Sequence, residues 1–470
     1  VVGVSLGDRF GCAVLGDGTP WCWGRNDEGQ LGYESSALCP ERLANGQTRA
    51  VACHRSPQQV GGVLDAVAVS AGAAHACALG VSGIVRCWGS NTVGQLGNGA
   101  NLPSTTAVMV SALEGASAVR SGARHACAIV RGAVLCWGAN DQGQLGVEDP
   151  GALCAVEDRR IPCARVPVRV TGVEGAVELA AGEAHTCART DRGDVLCWGT
   201  NVDGELGDGE PSAASPRPRP VRVGPRPLSG VTSVVAGAHH TCALREDGAA
   251  LCWGRSGQGQ LGVEVPSPPY APCAQACVPS PVAVDGYRGA SREPDDAGVD
   301  AADIPRDVGM MDAGRPGMDA GRPGMDASAP REDASALRGE AGATDATTDG
   351  GQDGRAIEPP RPTPTGLSAG AAFSCLRLTE GTVRCFGANR SGELGNGRTD
   401  EGGPDVTTVI ASPGSAATNP LQGVRTIASG AGTTCAVLMD RSVRCWGTNE
   451  SGALGNGTLS EHLGPVALTW

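Results

Sequence analysis

The sequence predicts an all-β chain, a seven-bladed β-propeller closed by its N- and C-terminal strands and interrupted by one long disordered insertion. Three observations predict it. One unit recurs seven times. Each recurrence is followed by a short Val-rich stretch. Glycine makes up 72 of 470 residues while aromatic residues are only 3%, which means many turns and too few large rings for three ordinary cores.

The unit spans Ser5–Gly32, Ser70–Gly97, Ser121–Gly146, Ala181–Gly207, Ala236–Gly262, Ala369–Gly395 and Ser429–Gly455. Its pattern is G-x-x-H-x-C-A-L, a short gap, then C-W-G-x-N-x-x-G-Q-L-G. From the first Gly to the final Leu the distance is 24 residues in six copies and 23 in the third. A fixed spacing of this kind marks a repeat architecture.

Each copy reads as a β-hairpin. Folding the second copy about Ser82 sets Cys77 opposite Cys87 and Leu79 opposite Val85. The loop is then Val81-Ser82-Gly83, and a three-residue hairpin loop favours glycine at its left-handed last position. Gly18, Gly193, Gly248 and Gly381 fill the same place. The third copy is shorter, with Cys127 and Cys136 closing a two-residue turn at Arg131-Gly132. The seventh departs, with Arg441 where glycine is expected.

Directly opposed residues lie about 4.5–5.5 Å apart, within disulfide reach. Seven hairpin bridges are therefore expected: Cys12–Cys22, Cys77–Cys87, Cys127–Cys136, Cys187–Cys197, Cys242–Cys252, Cys375–Cys385 and Cys435–Cys445. The competing reading is buried free cysteine. Cys39, Cys53, Cys154, Cys163, Cys273 and Cys277 remain, one pair after each of copies one, three and five. These read as three further bridges, each tying down a longer loop. The 20 cysteines contain no C-x2-C pair, so zinc is not the expected use, and so many thiols suit an oxidising compartment.

Between copies lie strands expected at Pro57–Val60, Thr106–Val110, Pro167–Val170, Pro220–Val223, Pro281–Val284, Thr407–Ile410 and Pro465–Leu468. Four short strands per unit suit a propeller blade. An open array would leave two bare edges; a circle removes both if the last strand joins the blade begun by Val1–Ser5.

Residues 288–365 break the pattern. They hold 16 acidic residues and nine Arg, no Cys and no aromatic residue. Met311–Gly317 and Met318–Gly324 are the same heptad. Such a segment buries too little to offset its ordering entropy and is expected to be disordered. The expected organisation is blades one to five over 1–287, the insertion over 288–365, and blades six and seven with closure over 366–470.

Composition excludes several functions. All 37 basic residues are Arg, so there is no P-loop, Schiff-base or Ser–Lys chemistry. A net charge of −13 disfavours nucleic acid. No apolar run is long enough to span a bilayer. The chain begins at Val1 without a leader, as a mature or trimmed chain would.

The G-x-x-H-x-C-A-L…C-W-G-x-N-x-x-G-Q-L-G unit resembles the repeat of the regulator of chromosome condensation family. The resemblance covers nearly all of the chain outside about 288–365 and implies a seven-bladed propeller. That family includes a nuclear exchange factor for a small GTPase and secreted bacterial propellers that inhibit β-lactamases. Paired cysteines, the absence of Lys and the acidic linker resemble the extracellular bacterial members. No working residue of the exchange factor matches a position here.

Several motifs tempt a chemical reading. His75, His125, His185 and His240 align in the repeat, but Phe10, Phe373 and Thr433 occupy the same place, which points to packing rather than a metal ring. His239 is an extra neighbour. Gly366–Gly370 spells G-x-S-x-G without the required strand-to-helix turn. Gly257–Gly262 spells G-x-G-x-x-G with no helix after it. Asp203-Gly204 and Asp208-Gly209 carry calcium-type donors, yet Asp beside Gly is a turn signature. The aligned Trp23, Trp88, Trp137, Trp198, Trp253 and Trp446 could offer sugar platforms or be buried between blades, and burial is expected. No catalytic residue, cofactor or metal is assigned. The expected function is a secreted or cell-surface module, bacterial and monomeric, that binds a protein or glycan. The alternatives are an extracellular polysaccharide-acting enzyme, marked by a convergent acid pair or His–acid set, and a nucleotide-exchange factor with reduced thiols.

Overall fold

Each repeat copy supplies the end of the first strand and the whole of the second and third strands of an antiparallel sheet. In blade two these are Ala66–Ala71, His75–Gly80 and Val85–Gly89, and Ser104–Met109 is the fourth. The computed structural model describes residues 1–42, 47–265, 273, 276–288, 362–414 and 419–470. Seven such sheets follow one another along these residues. The expected disordered insertion, 288–365, lies almost wholly outside them, at 289–361.

The hairpin register follows from the turn chemistry. Cys77 faces Cys87 and Leu79 faces Val85. Gly83 has φ 80° and closes the loop by donating to the Gly80 carbonyl at 2.9 Å. In blade three Arg131 and Gly132 both take positive φ, as a two-residue turn of the I′ kind demands. The seventh turn keeps the same shape without glycine: Arg441 sits at φ 69°, and Asp440 secures it by accepting from the Ser442 amide at 2.9 Å.

All seven hairpins carry a disulfide, with Cα atoms 4.0–4.1 Å apart. The other six cysteines are bridged as Cys39–Cys53, Cys154–Cys163 and Cys273–Cys277. The first two lie in added hairpins rather than loops. Leu38–Arg42 pairs with Thr48–Gln59, and Ala152–Val156 pairs with Arg159–Arg169.

The fourth strands start earlier than their valines suggest. Blade one's runs Thr48–Gln59 and blade six's runs Asp400–Thr408. Outer strands are wet on one side, so their polar residues belong to the sheet. At 220–223 the strand stops at Pro220, and Arg222–Val223 forms a separate two-residue pairing with Arg226–Pro227.

The ring closes through its first strands and their loops. The G-x-x-H loops of blades one to four and six pass a backbone bond to the next blade: Asp8 N to Ala73 O, Ala73 N to Ala123 O, Ala123 N to Gly182 O, Glu183 N to Ala238 O and Ala371 N to Ala431 O. The last, Ala431 N to Gly7 O at 3.3 Å, joins blade seven to blade one. A Cβ on Gly72, Gly122 or Gly182 would strike the carbonyl of the next such glycine, which is why the motif opens with Gly. Closure differs from the expectation in one respect. The C-terminal strand, His462–Ala467, pairs with Val443–Gly447 of its own blade instead of joining blade one. The seam is therefore packed side chains, with Leu6 and Trp23 against Val437, Leu454 and Leu468.

The core lies between blades. One cluster joins Ile129, Val134 and Leu145 of blade three to Leu179, Ala188 and Trp198 of blade four. All six aligned Trp are fully buried, so none offers a face to a sugar.

Candidate functional site

The aligned histidines wire one blade to the next. His125 Nε2 lies 2.8 Å from Thr186 Oγ1 of blade four, and that hydroxyl donates to the Gln144 carbonyl at 3.0 Å. The hydroxyl proton is thus spent, so the ring must donate from Nε2. His185 reaches Thr241 and His240 reaches Ser374 in the same way. The same Gln144 carbonyl also accepts Trp198 Nε1 at 2.9 Å. His75 and His125 are wholly enclosed, and burial pushes their pKa values down to about 4 and about 3. They are neutral packing groups. Ser368 of the G-x-S-x-G run lies inside the strand Pro364–Ala369 and faces Cys375, so it is no nucleophile elbow.

Strand direction puts two loop types at one end of the ring: the G-x-x-H loops and the excursions that end in G-Q-L-G. In every excursion except that of blade five, where Ser256 takes the place, an Asn side chain accepts the Leu amide five residues on, as Asn201 does from Leu206 at 3.0 Å. The Gln position accepts the amide two residues back. Gln144 takes Gln142 N, and its own amide donates to Asp141. In blade four the position is Glu205. Its Oε2 accepts Asp203 N at 2.9 Å, but a carboxylate has nothing to donate, and Val202 stands where the Asp would be.

Glu205 Oε1 instead points towards His239, 3.5 Å from Nδ1. His239 Nε2 bonds Glu183 Oε2 at 2.9 Å. The bond to Glu183, with the Glu205 carboxylate close by, pushes the His239 pKa up to about 9, and the His239 bond holds the Glu183 carboxyl below its usual range. Arg255 bonds Asp203 Oδ2 with two N–H groups, at 2.6 and 2.8 Å. Asp208 has its own arginine, Arg219, at 2.7 Å, so the two Asp-Gly pairs each have a separate partner. A hollow of about 470 Å³ opens beside the histidine, lined by Arg124, Asp141, Glu183, Thr200 and His239. In the sequence His239 and Asp203 stand out only separately, and Glu205 is marked only as an acid in a glutamine position.

The added hairpins sit at this same end. Cys39, Val51 and Cys53 pack on Leu459 of blade seven, and Cys154, Ile161 and Cys163 pack on Val93 of blade two. Each hairpin thus leans back over the preceding blade. Glu41 anchors the first: Arg9, Arg25 and Arg49 all pair with it. Burial raises its pKa, but the bonds from Arg49 and Arg25 outweigh that and leave it below the usual carboxylate range. Leu38 and Leu153, each next to a bridged cysteine, are 58% and 57% exposed.

This architecture is that of a repeat propeller with decorated loops at one end. Residues 1–297 match the family described as the RCC1-like domain, and residues 365–393 match the Regulator of chromosome condensation (RCC1) repeat. The chain belongs to this family. Among curated relatives, the Arabidopsis thaliana Ultraviolet-B receptor UVR8 is 32% identical over 265 residues, 55% of this chain and 54% of the relative. The RCC1 domain-containing protein RUG3, mitochondrial, also of Arabidopsis thaliana, is 28% identical over 271 residues, 56% of this chain and 55% of the relative. The chain thus spans about half the length of these relatives. Human WBSCR16 has a similar structure, with TM-score 0.64, 18% identity and coverage of 96% of this chain and 94% of that one. Prp20p from Saccharomyces cerevisiae gives TM-score 0.60, 17% identity and coverage of 98% and 88%. These identities establish a shared fold alone.

Proposed function

We propose that this ring is a non-catalytic binding module of an oxidising compartment, extracellular, periplasmic or at the cell surface, and that it grips a protein ligand with the end that carries the added hairpins. The observation that carries this reading is the pair of disulfide-stapled hairpins, each presenting an exposed leucine beside its bridge. The outer strand of each hairpin, Leu38–Arg42 or Ala152–Val156, is a fifth strand that no blade needs for completion. Stapling them removes loop freedom that binding would otherwise have to quench. Ten bridges in one chain fit an oxidising compartment.

A second reading has its own support. His239 beside Glu183 and Glu205 is a His–acid set at a hollow, as an enzyme would need. One ring nitrogen is bonded to Glu183 and the other faces Glu205, so neither is turned towards a substrate in the hollow as a base must be. We read the cluster as a binding feature and not as proton-transfer machinery.

The test places a photo-cross-linking residue at Leu38, at Leu153 and, at the opposite end, at Val81, which is 76% exposed. The first two sites should trap the same ligand from the native extracellular fluid, and Val81 should trap none of it. Trapping from Val81 alone would reverse the assignment of the binding end.

A further inference from the structure

We propose that the junction of blades four and five holds one divalent cation of the Zn²⁺ class, bound by Glu205, His239 and Asp203 with Glu183 fixing the histidine ring. One donor atom from each of Asp203, Glu205 and His239 lies within 4.8 Å of the others. Glu205 Oε1 and His239 Nδ1 are 3.5 Å apart. Two ligands on a tetrahedral zinc, each bonded at about 2.0–2.1 Å, stand about 3.4 Å apart by geometry. The separation needs no rearrangement to admit an ion between them.

The independent sign is Glu205 itself. Its side chain is 0% exposed, and Oε1 has no hydrogen-bond partner. A buried carboxylate oxygen that accepts no hydrogen bond is costly unless a cation meets it, and the His239 ring at 3.5 Å is its nearest partner. His239 is already oriented for ligation. Its far nitrogen, Nε2, is held by Glu183 at 2.9 Å, the carboxylate–histidine pairing that aims a metal-binding ring. The ion takes the place of the Nδ1 proton, which leaves to solvent. Asp203 is the weakest of the three ligands because Arg255 already shares its carboxylate. The fourth position faces the hollow that His239 and Glu183 line. A nitrogen and few oxygens suit Zn²⁺, whereas Ca²⁺ and Mg²⁺ want six or more oxygen ligands.

The repeat supplies an internal control. Blade six also has an acid at this position, Glu393. The residue opposite it, where His239 would stand, is Gly432, whose Cβ would lie 4.0 Å from Glu393 Oε1. Blades six and seven therefore have the acid without the nitrogen ligand.

The experiment is calorimetric titration of ZnCl2 into the full chain after chelator treatment and dialysis. The wild type should show one saturable site, and MgCl2 should show none. Glu205→Gln places the glutamine of blades one, two, three and five, and His239→Ala places the alanine of blades two, four and six, so both variants should fold. Each should abolish saturable zinc binding while keeping the wild-type melting temperature in EDTA. Glu183→Gln should weaken binding about ten- to a hundredfold, as loss of a ring-orienting partner does. Glu393→Gln should change nothing. Absence of a saturable site in the wild type, or unchanged zinc binding in a folded Glu205→Gln or His239→Ala, would overturn the proposal.

Discussion

The junction of blades two and three lacks the hydroxyl relay that the junction of blades three and four has. At the second, His125 donates to Thr186, and the Gln144 carbonyl receives both that hydroxyl and Trp198. At the first, Ala126 stands where Thr186 would, the Gln95 carbonyl receives only Trp137, and neither ring nitrogen of His75 has a partner. Both histidines are equally enclosed. The ring position is therefore held by shape, and hydrogen bonding is added where the next blade supplies a hydroxyl. Phe10 and Phe373, also buried at that position, make the same point.

The largest expected effect tests what the two junctions share. Trp137→Ala and Trp198→Ala should each cost about 3–5 kcal/mol in urea unfolding, because each empties a buried wedge between blades. Near-equal losses would show that the indole carries both junctions. A loss at Trp137 below half that at Trp198 would show that the hydroxyl relay sets the value of its neighbours.

Acid comes next. His75 and His125 are neutral when folded, with pKa values of about 4 and about 3, and burial is the main cause. In the unfolded chain each titrates near 6.5. Below that pH the unfolded state binds protons that the folded state refuses, so stability is full above 6.5 and falls as pH drops towards 4. His75 alone contributes a loss of up to about 3 kcal/mol by pH 4. His75→Phe, with Phe10 and Phe373 as precedents, should remove that share. A stability curve of the same slope in wild type and variant would contradict it.

The hydroxyl itself is a smaller matter. Thr186→Val keeps the volume and strands the His125 N–H, and should cost about 1–3 kcal/mol. A double-mutant cycle with His125→Phe should recover most of that, since the stranded donor is then gone. The smallest effect runs the other way. Ala126→Thr supplies blade three with the missing hydroxyl and should stabilise the ring by about 1 kcal/mol, read as a rise in the urea midpoint.

The seven hairpins were legible because their turns and cysteines recur at fixed distance. The early parts of Thr48–Gln59 and Asp400–Thr408 were not. Their residues are polar on a wet outer edge, and no alternation of valines announces them. The strand pairing of the seam was hidden for another reason: His462–Ala467 could complete either sheet by pattern, and only packing decides. The cluster at Glu205 left a faint mark, an acid in a glutamine position and a doubled histidine at His239-His240. These lie 34 positions apart in the chain (205 to 239), and nothing short of the folded ring sets them face to face.

Because every described blade is one unbroken stretch of chain, the seam between blade seven and blade one has no special covalent role. It is one blade junction among seven, distinguished only by having no peptide link across it. The ring should then tolerate having its ends moved. A circular permutant joined across the present termini and reopened between Val110 and Ala116, for instance, would keep every sheet intact and exchange one unlinked junction for another. The same ring can be read from any blade.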